Sequence, residues 1–427
     1  MRTVAFHTLG CKVNQYDSQA MLELFEQAGY EPRDFSEPAD VYVVNTCTVT
    51  GTGDKKSLNA VRRALRTNPS AEVVIAGCLA QRDGEKLLET GARLVIGNAR
   101  RGEVVRLLEE AVASGQRVAA VTDILRTPYE PLRVSSQEGR TRAVLKIQEG
   151  CDRYCTYCII PYVRGGIRSR APEDIRQEAI RLAQAGFQEL VLTGIHLTSY
   201  GRDLDGKTLL DAVRVCDAEG VRRVRLGSLE PVIVTEEFVE ALKKEEKVCP
   251  QFHLALQSGC DPVLKRMRRR YTTDEFRRAC ALLRETFPGC AITTDVITGF
   301  PGETDAEFAQ TMDFCREIGF ARMHVFPYSA RQGTPAAQMP NQVPKALREE
   351  RARTLIAMGA DMARKYRESQ IGKTVEVLVE EIDSDGNAHG YTRQYIACAL
   401  RGGKIGEICS VRVNGTDADG LMGDKAE

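Results

Sequence analysis

Cys151-Asp-Arg-Tyr-Cys155-Thr-Tyr-Cys158 puts three thiols on one short loop, directly after Val144-Leu-Lys-Ile-Gln148, which reads as the end of a strand. A Cys-x3-Cys-x2-Cys loop can hold three corners of an iron–sulfur cube and leave the fourth iron open. Zinc competes for the same thiolates. A structural zinc site, however, takes four protein ligands, usually as two separated pairs, and no second pair or nearby His completes this one. The spacing therefore favours an iron–sulfur cluster over zinc or a chance group of buried thiols.

Downstream of this loop the pattern of apolar strand then helix repeats. Leu190-Val-Leu192, Val224-Arg-Leu226, Phe252 to Leu256, Ile292 to Ile297 and Met323 to Phe326 have strand length, and Pro172 to Ala185 and Asp274 to Thr286 read as helices between them. Six successive βα units predict a full or partial barrel, whose working residues follow its strands. Polar residues and glycines gather at those positions: Thr193-Gly194-Ile-His196, Glu230, Gln257 and Gly299. One rim would carry the cluster and a ring of groups able to orient a ligand.

Upstream, Val4-Ala-Phe6, Val41 to Val44, Val73 to Ala76 and Leu94 to Ile96 alternate with helical stretches, predicting a parallel sheet covered by helices. Cys11, Cys47 and Cys78 each follow one of the first three strands. The carboxyl ends of parallel strands share one rim, so these three distant cysteines should converge there as a second ligand set. The alternative is three core thiols. No G-x-G-x-x-G follows the first strand, so a dinucleotide site is not expected.

Composition bounds the class. The 427 residues allow two or three domains, and apolar residues make up 43% without a stretch able to span a bilayer. With no secretory h-region at Met1-Arg-Thr-Val-Ala-Phe-His7, a cytoplasmic protein is expected, in which 14 cysteines bind metal or fill cores rather than form disulfides. Cys216, Cys249, Cys260, Cys280, Cys290, Cys315, Cys398 and Cys409 have no metal spacing and should be core. Lys plus Arg and Asp plus Glu balance at 59 each, so any RNA site must be local.

The densest basic run is Lys265-Arg266-Met-Arg268-Arg269-Arg270-Tyr271, a candidate grip on an RNA backbone with a stacking ring. Pro, Ser and Gly around residues 126–140 mark a linker between a first domain at 1–125 and the barrel at 141–368. From 369 to 427 the period changes to alternation, with Asp385-Gly386 as a hairpin turn, predicting a small antiparallel barrel. That tail carries six Lys or Arg against ten Asp or Glu, so RNA contact would need a local face including Arg393 and Arg401, with Tyr391 or Tyr395 for stacking.

Cys151-x3-Cys155-x2-Cys158, with Tyr157 before the third cysteine, resembles the signature of radical S-adenosylmethionine enzymes. Cys11, Cys47 and Cys78 ahead of it and a small β-barrel behind it resemble the methylthiotransferases across essentially the whole chain. Leu9-Gly-Cys-Lys-Val-Asn-Gln15, Asn45-Thr-Cys-Thr-Val-Thr50, Lys265-Arg-Met-Arg-Arg269 and Val325-Phe-Pro-Tyr-Ser329 are most similar to the branch acting on N6-threonylcarbamoyladenosine in tRNA. Related branches act on isopentenyladenosine in tRNA or on a ribosomal-protein aspartate. A non-enzymatic iron–sulfur RNA-binding protein is the alternative from another class.

The resemblance implies an α/β fold: an N-terminal parallel sheet domain, a partial radical SAM barrel and a TRAM-like β-barrel. It implies two 4Fe-4S clusters, one on each cysteine set, and S-adenosylmethionine held near Tyr157, Thr193, Gly194, His196, Glu230, Gln257 and Gly299. The target would be C2 of the modified adenosine 3' to the anticodon in tRNAs reading ANN codons. An external electron donor is implied, the sulfur donor is left unspecified, and no membrane is involved.

Overall fold

The computed structural model describes residues 2–135, 137 and 139–426. The first part runs β1 (Thr3–Thr8), α1 (Lys12–Gln27), β2 (Glu31–Arg33), β3 (Val41–Thr46), α2 (Gly51–Thr67), β4 (Glu72–Gly77), α3 (Cys78–Asp83), β5 (Leu94–Ile96), α4 (Val104–Ser114) and β6 (Val118–Ala120). Its strands form one parallel sheet in the order β2-β1-β3-β4-β5-β6. Every residue of β3 is buried, as expected of a parallel strand covered on both faces. The period of two divides the core: Tyr42, Val44 and Ile75 pack on one face, and Val43, Val74, Met21 and Phe25 on the other.

The central part runs β7 (Arg142–Glu149), α5 (Ile160–Arg164), β8 (Arg168–Ser169), α6 (Pro172–Gln184), β9 (Glu189–Gly194), α7 (Leu209–Arg214), β10 (Arg223–Leu226), β11 (Ser228–Leu229), α8 (Glu236–Lys243), β12 (Gln251–Leu254), α9 (Asp261–Arg266), α10 (Thr273–Thr286), β13 (Ala291–Thr298), α11 (Asp305–Ile318), β14 (Arg322–Pro327) and α12 (Lys345–Glu368). The strands form two four-stranded sheets, β10-β9-β7-β8 and β11-β12-β13-β14, around one large apolar core. All the expected long strands are present. The two-residue β8, antiparallel to β7, and β11 were too short to leave a periodic signal.

The tail forms a closed barrel of β15 (Thr374–Ile382), β16 (Asn387–Thr392), β17 (Ala397–Arg401), β18 (Ile408–Thr416) and β19 (Leu421–Lys425). Residues 388–399 run from β16 through a turn into β17. Tyr395 adopts φ +63 and turns the chain between β16 and β17, a backbone state that a non-Gly residue rarely signals in sequence. Its ring stacks on Tyr391 with centroids 4.8 Å apart.

Buried polar contacts join the parts. Lys146 Nζ lies 2.6 Å from Asp17 Oδ1 and 2.9 Å from Glu149 Oε2, Arg164 pairs with Glu149 at 2.7 Å, and Arg101 pairs with Asp17. The Tyr16 hydroxyl donates to Glu178 Oε1 at 2.8 Å. Toward the tail, Arg142 pairs with Glu380 and lies 4.9 Å from the centres of Tyr391 and Tyr395, while Arg225 donates to the Arg393 carbonyl at 2.9 Å.

Candidate active site

The two cysteine sets stand at strand ends for reasons visible locally. Cys11 is the N-cap of α1, Cys47 follows β3, and Cys78 opens α3 directly after β4. Gly10 sits at φ +101, and a Cβ there would lie 2.9 Å from Cys47 Cβ, so only glycine admits this approach of the two loops. Burial pushes the Cys47 thiol up to about 11, with Cys78 and Cys11 adding to the shift. The Cys11 thiol is also raised by burial, opposed by Arg164 and reinforced by Cys78, although Cys11 itself lies open to the cavity described below. The three distant cysteines thus share one neighbourhood, as the strand order required.

The second set lies on the loop between β7 and α5. Burial pushes Cys151 up to about 11, and Cys158 up to about 12 with Cys155 and Cys151 contributing. Among the described residues no three His, Cys, Asp or Glu groups are gathered around a single point as one bound ion would hold them. The donor chemistry of each set fits an iron–sulfur cluster: three soft sulfurs, with N–H donors aimed at them. Arg164 Nε lies 3.1 Å from Cys78 Sγ and Asn98 Nδ2 lies 3.6 Å from it. Arg269 Nη1 is 3.3 Å from Cys155 Sγ, and the Arg153 N–H is 3.5 Å from Cys151 Sγ.

Sequence reading missed Arg164, Asn14 and Asn98. Arg164 is fully buried and donates to Glu149 Oε1 and Asn14 Oδ1, while Asn14 Nδ2 donates to the Thr46 carbonyl at 2.9 Å and so ties the loops together. Their signal was faint. Asn14 stood inside the quoted Leu9–Gln15 stretch, but a buried Arg cannot be told from a surface one by type.

Glu230 is the hub beside the Cys151 loop. Its carboxylate meets Arg269 Nη2 at 2.9 Å, Arg153 Nε at 3.0 Å and His196 Nε2 at 3.1 Å. Burial opposes its charge, but His196 and the Arg269 charge beside it outweigh burial and hold it at about 2. His196 also has Nδ1 at 2.6 Å from Ser199 Oγ, so both ring nitrogens are engaged by protein. Tyr157 packs edge-on against Phe300 at 6.4 Å. Gln257 has φ +66, its N–H donating to the Asp295 carbonyl at 2.8 Å. Gly299 faces α12: a Cβ there would collide with the Arg348 side chain, so its freedom serves packing rather than the approach of a ligand.

The expected RNA face is divided. Lys265, Arg268 and Arg270 are exposed, but Arg266 forms a bidentate pair with Glu307 and Arg269 turns inward to the cluster loop. Tyr271 is buried and donates to the Leu256 carbonyl at 2.8 Å, so it offers no stacking surface. Arg401 is exposed, whereas Arg393 donates to the Glu246 and Val248 carbonyls at 2.6 and 2.9 Å and binds the tail to the barrel. Tyr391 and Tyr395 stack on each other under Arg142, again at that junction. The eight remaining cysteines are buried, as expected of core residues.

A cavity of about 800 Å3 runs between all three parts. Cys11, Thr193 and Gly194 line it together with inward residues of β12, β13 and β14, and with Tyr391 and Tyr395. The Cys151 loop does not line it.

Fold and thiol loop together define a radical SAM protein: residues 145–315 match the Radical SAM superfamily, residues 3–97 the Uncharacterized protein family UPF0004, and residues 368–423 the TRAM domain. In solved structures the fold is similar to the radical S-adenosylmethionine methyltransferase TsrM from Kitasatospora setae, with TM-score 0.57 and 17% identity over 79% of this chain and 75% of that one. The chain belongs to the radical SAM methylthiotransferase family. It is 43% identical to threonylcarbamoyladenosine tRNA methylthiotransferase MtaB of Bacillus subtilis (strain 168), over 97% of this chain and 94% of the relative. It is 37% identical to the MtaB of Thermotoga maritima, over 100% of this chain and 98% of the relative.

Proposed function

We propose that this enzyme converts N6-threonylcarbamoyladenosine, 3' to the anticodon in tRNAs reading ANN codons, into its 2-methylthio derivative. The observation that carries this reading is the pair of thiol triads in one molecule, with Cys11 of the first on the wall of the cavity that the barrel strands enclose. The naming of its full-length relatives supports the substrate. Held on Cys151, Cys155 and Cys158, a four-iron cluster with S-adenosylmethionine would supply the one-electron chemistry that breaks an unactivated C–H bond; a second on Cys11, Cys47 and Cys78 would supply the sulfur, and a second S-adenosylmethionine the methyl group.

The chain's own groups orient and insulate. Arg269 fixes Cys155 and Arg164 fixes Cys78, each as a donor that disperses charge on sulfur. Glu230 pairs with both Arg269 and Arg153, so neither buried cation beside the loop lacks an anionic partner. The base, splayed from the anticodon loop, occupies the cavity, while exposed Lys265, Arg268, Arg270 and Arg401 meet tRNA phosphates. Residues 1–125, 141–368 and 369–427 act as three units joined at this cavity. An external electron donor completes the reaction, which takes place in the cytoplasm. Among the described residues no helix is long and apolar enough to cross a membrane.

Nucleoside mass spectrometry of tRNA from a strain lacking the gene tests the reading. The 2-methylthio nucleoside should vanish and threonylcarbamoyladenosine accumulate; an unchanged 2-methylthio peak would overturn the assignment.

A further inference from the structure

The cavity carries cations that the chain leaves unneutralised. Arg225 is accounted for, with its Nε 2.7 Å from Glu189 and its guanidinium 4.9 Å from the centre of Tyr395. Lys12, Arg322 and Arg367 also line the wall, and among the described residues none of the three side chains has an ion-pair or hydrogen-bond partner. Arg367 Nε is buried as well as unpartnered. The acids on the wall are Asp295, already 3.3 Å from His253 Nε2, and Asp419 in the turn between β18 and β19. Three free cations thus face one free acid.

These cations come from different elements, α1, β14 and α12, so their meeting is a property of the fold and not of a basic run. They line the same cavity as the stacked Tyr391 and Tyr395, and Lys12 adjoins Cys11 in sequence. A cavity of this volume holds a nucleoside with a side chain on its base.

We infer that Lys12, Arg322 and Arg367 form a carboxylate subsite, which selects a tRNA base bearing an anionic substituent over one bearing an apolar substituent. The inference rests on the proposed function, since it takes the cavity as the seat of the target base. A threonylcarbamoyl group ends in a carboxylate and supplies the missing counter-charge. An isopentenyl group would exclude water from the cations and give them no partner, which costs binding. Lys12 and Arg322 are exposed, so backbone phosphates are the competing partner, and RNAs that differ only in the base substituent separate the two.

The test is RNA binding by the reconstituted full chain, measured by fluorescence anisotropy at one fixed salt concentration. Three anticodon stem-loops are compared, identical except for threonylcarbamoyladenosine, adenosine or isopentenyladenosine 3' to the anticodon. The wild type should bind the carboxylate-bearing RNA about tenfold or more tightly than the others, the scale of one charge-assisted contact. Lys12→Gln and Arg322→Gln should each erase most of that preference and leave affinity for the adenosine RNA within about twofold. Arg322→Lys, which keeps the charge, should retain most of it.

Equal weakening toward all three RNAs would mean phosphate contacts and overturn the subsite, as would a preference that survives in the double Gln variant. The nucleoside assay tests the reaction separately. A preference that ignores Lys12 and Arg322 defeats the subsite even where the 2-methylthio nucleoside is made. A missing nucleoside defeats the reaction even where the preference follows these residues.

Discussion

Arg269 illustrates how far a residue's role depends on where its neighbours lie. By type and company it belongs to a basic run, yet its guanidinium is spent on Cys155, Glu230 and Tyr271. Glu230 is the matching anion, and its low pKa has a consequence for stability. The folded chain holds it at about 2, below the ordinary 4.5, so the unfolded chain binds more protons between those values and stability rises with pH there. Its contribution is complete above the ordinary carboxylate range and is lost as pH falls through about 2. Urea unfolding at pH 3.5 and pH 7 should therefore show a larger loss on acidification for the wild type than for Glu230→Gln, and equal losses would refute the assignment.

The cysteines give a second prediction. Burial keeps the Cys47, Cys151 and Cys158 thiols protonated, so ligation by iron must release protons and is favoured by rising pH. Iron content after anaerobic reconstitution should be higher at pH 8.5 than at pH 7, approaching about eight irons per chain. Cys151→Ala should abolish cleavage of S-adenosylmethionine to 5'-deoxyadenosine, whereas Cys47→Ala should leave cleavage measurable and remove thiolation. Identical behaviour of the two variants would show that the triads do not divide the labour.

At the scale of elements, strand ends and helix starts do most of the positioning. Cys11 at the N-cap of α1 and Cys78 at the first position of α3 are placed by the turns that close β1 and β4. Helix α10 begins with a reciprocal capping box, the Glu275 N–H donating to Thr272 Oγ1 at 3.2 Å and the Thr272 N–H to Glu275 at 2.7 Å. Its signal, Thr272 ahead of a helical stretch, was readable in sequence. Thr272→Ala should cost about 1 kcal/mol, lower the melting temperature by a few degrees and leave product formation unchanged, because the exposed Thr272 side chain bonds to Glu275 and to neither thiol set.

At the scale of the molecule, the first domain is docked through charges that have no access to water. Asp17 meets Lys146 and Arg101, and Glu149 meets Lys146 and Arg164, with every side chain 2% exposed or less. Removing one partner strands a buried charge. Asp17→Asn should destabilise the docked state by about 3–5 kcal/mol, far more than a surface pair would. Limited proteolysis should then cut the 126–140 linker faster in the variant than in the wild type, and equal rates would show that the network does not hold the interface.

How much of this was legible follows from the range of each interaction. The strands, the βα order, the two thiol sets and the change of period at the tail are local patterns, so one reading of the chain set out the fold and put both thiol sets at strand ends. The turn at Tyr395 was not legible, because a non-Gly residue at positive φ is held there by stacking on Tyr391 and not by its own preference. Nor was the inward course of Arg269 or the docking role of Arg393, since a guanidinium takes whichever partner the fold brings within reach. The sequence by itself determined which chemistry the chain can carry, because cysteine spacing along one loop is a covalent constraint. Only the tertiary structure decided which cations lie free in the cavity, because α1, β14 and α12 meet there through packing across more than three hundred residues of sequence.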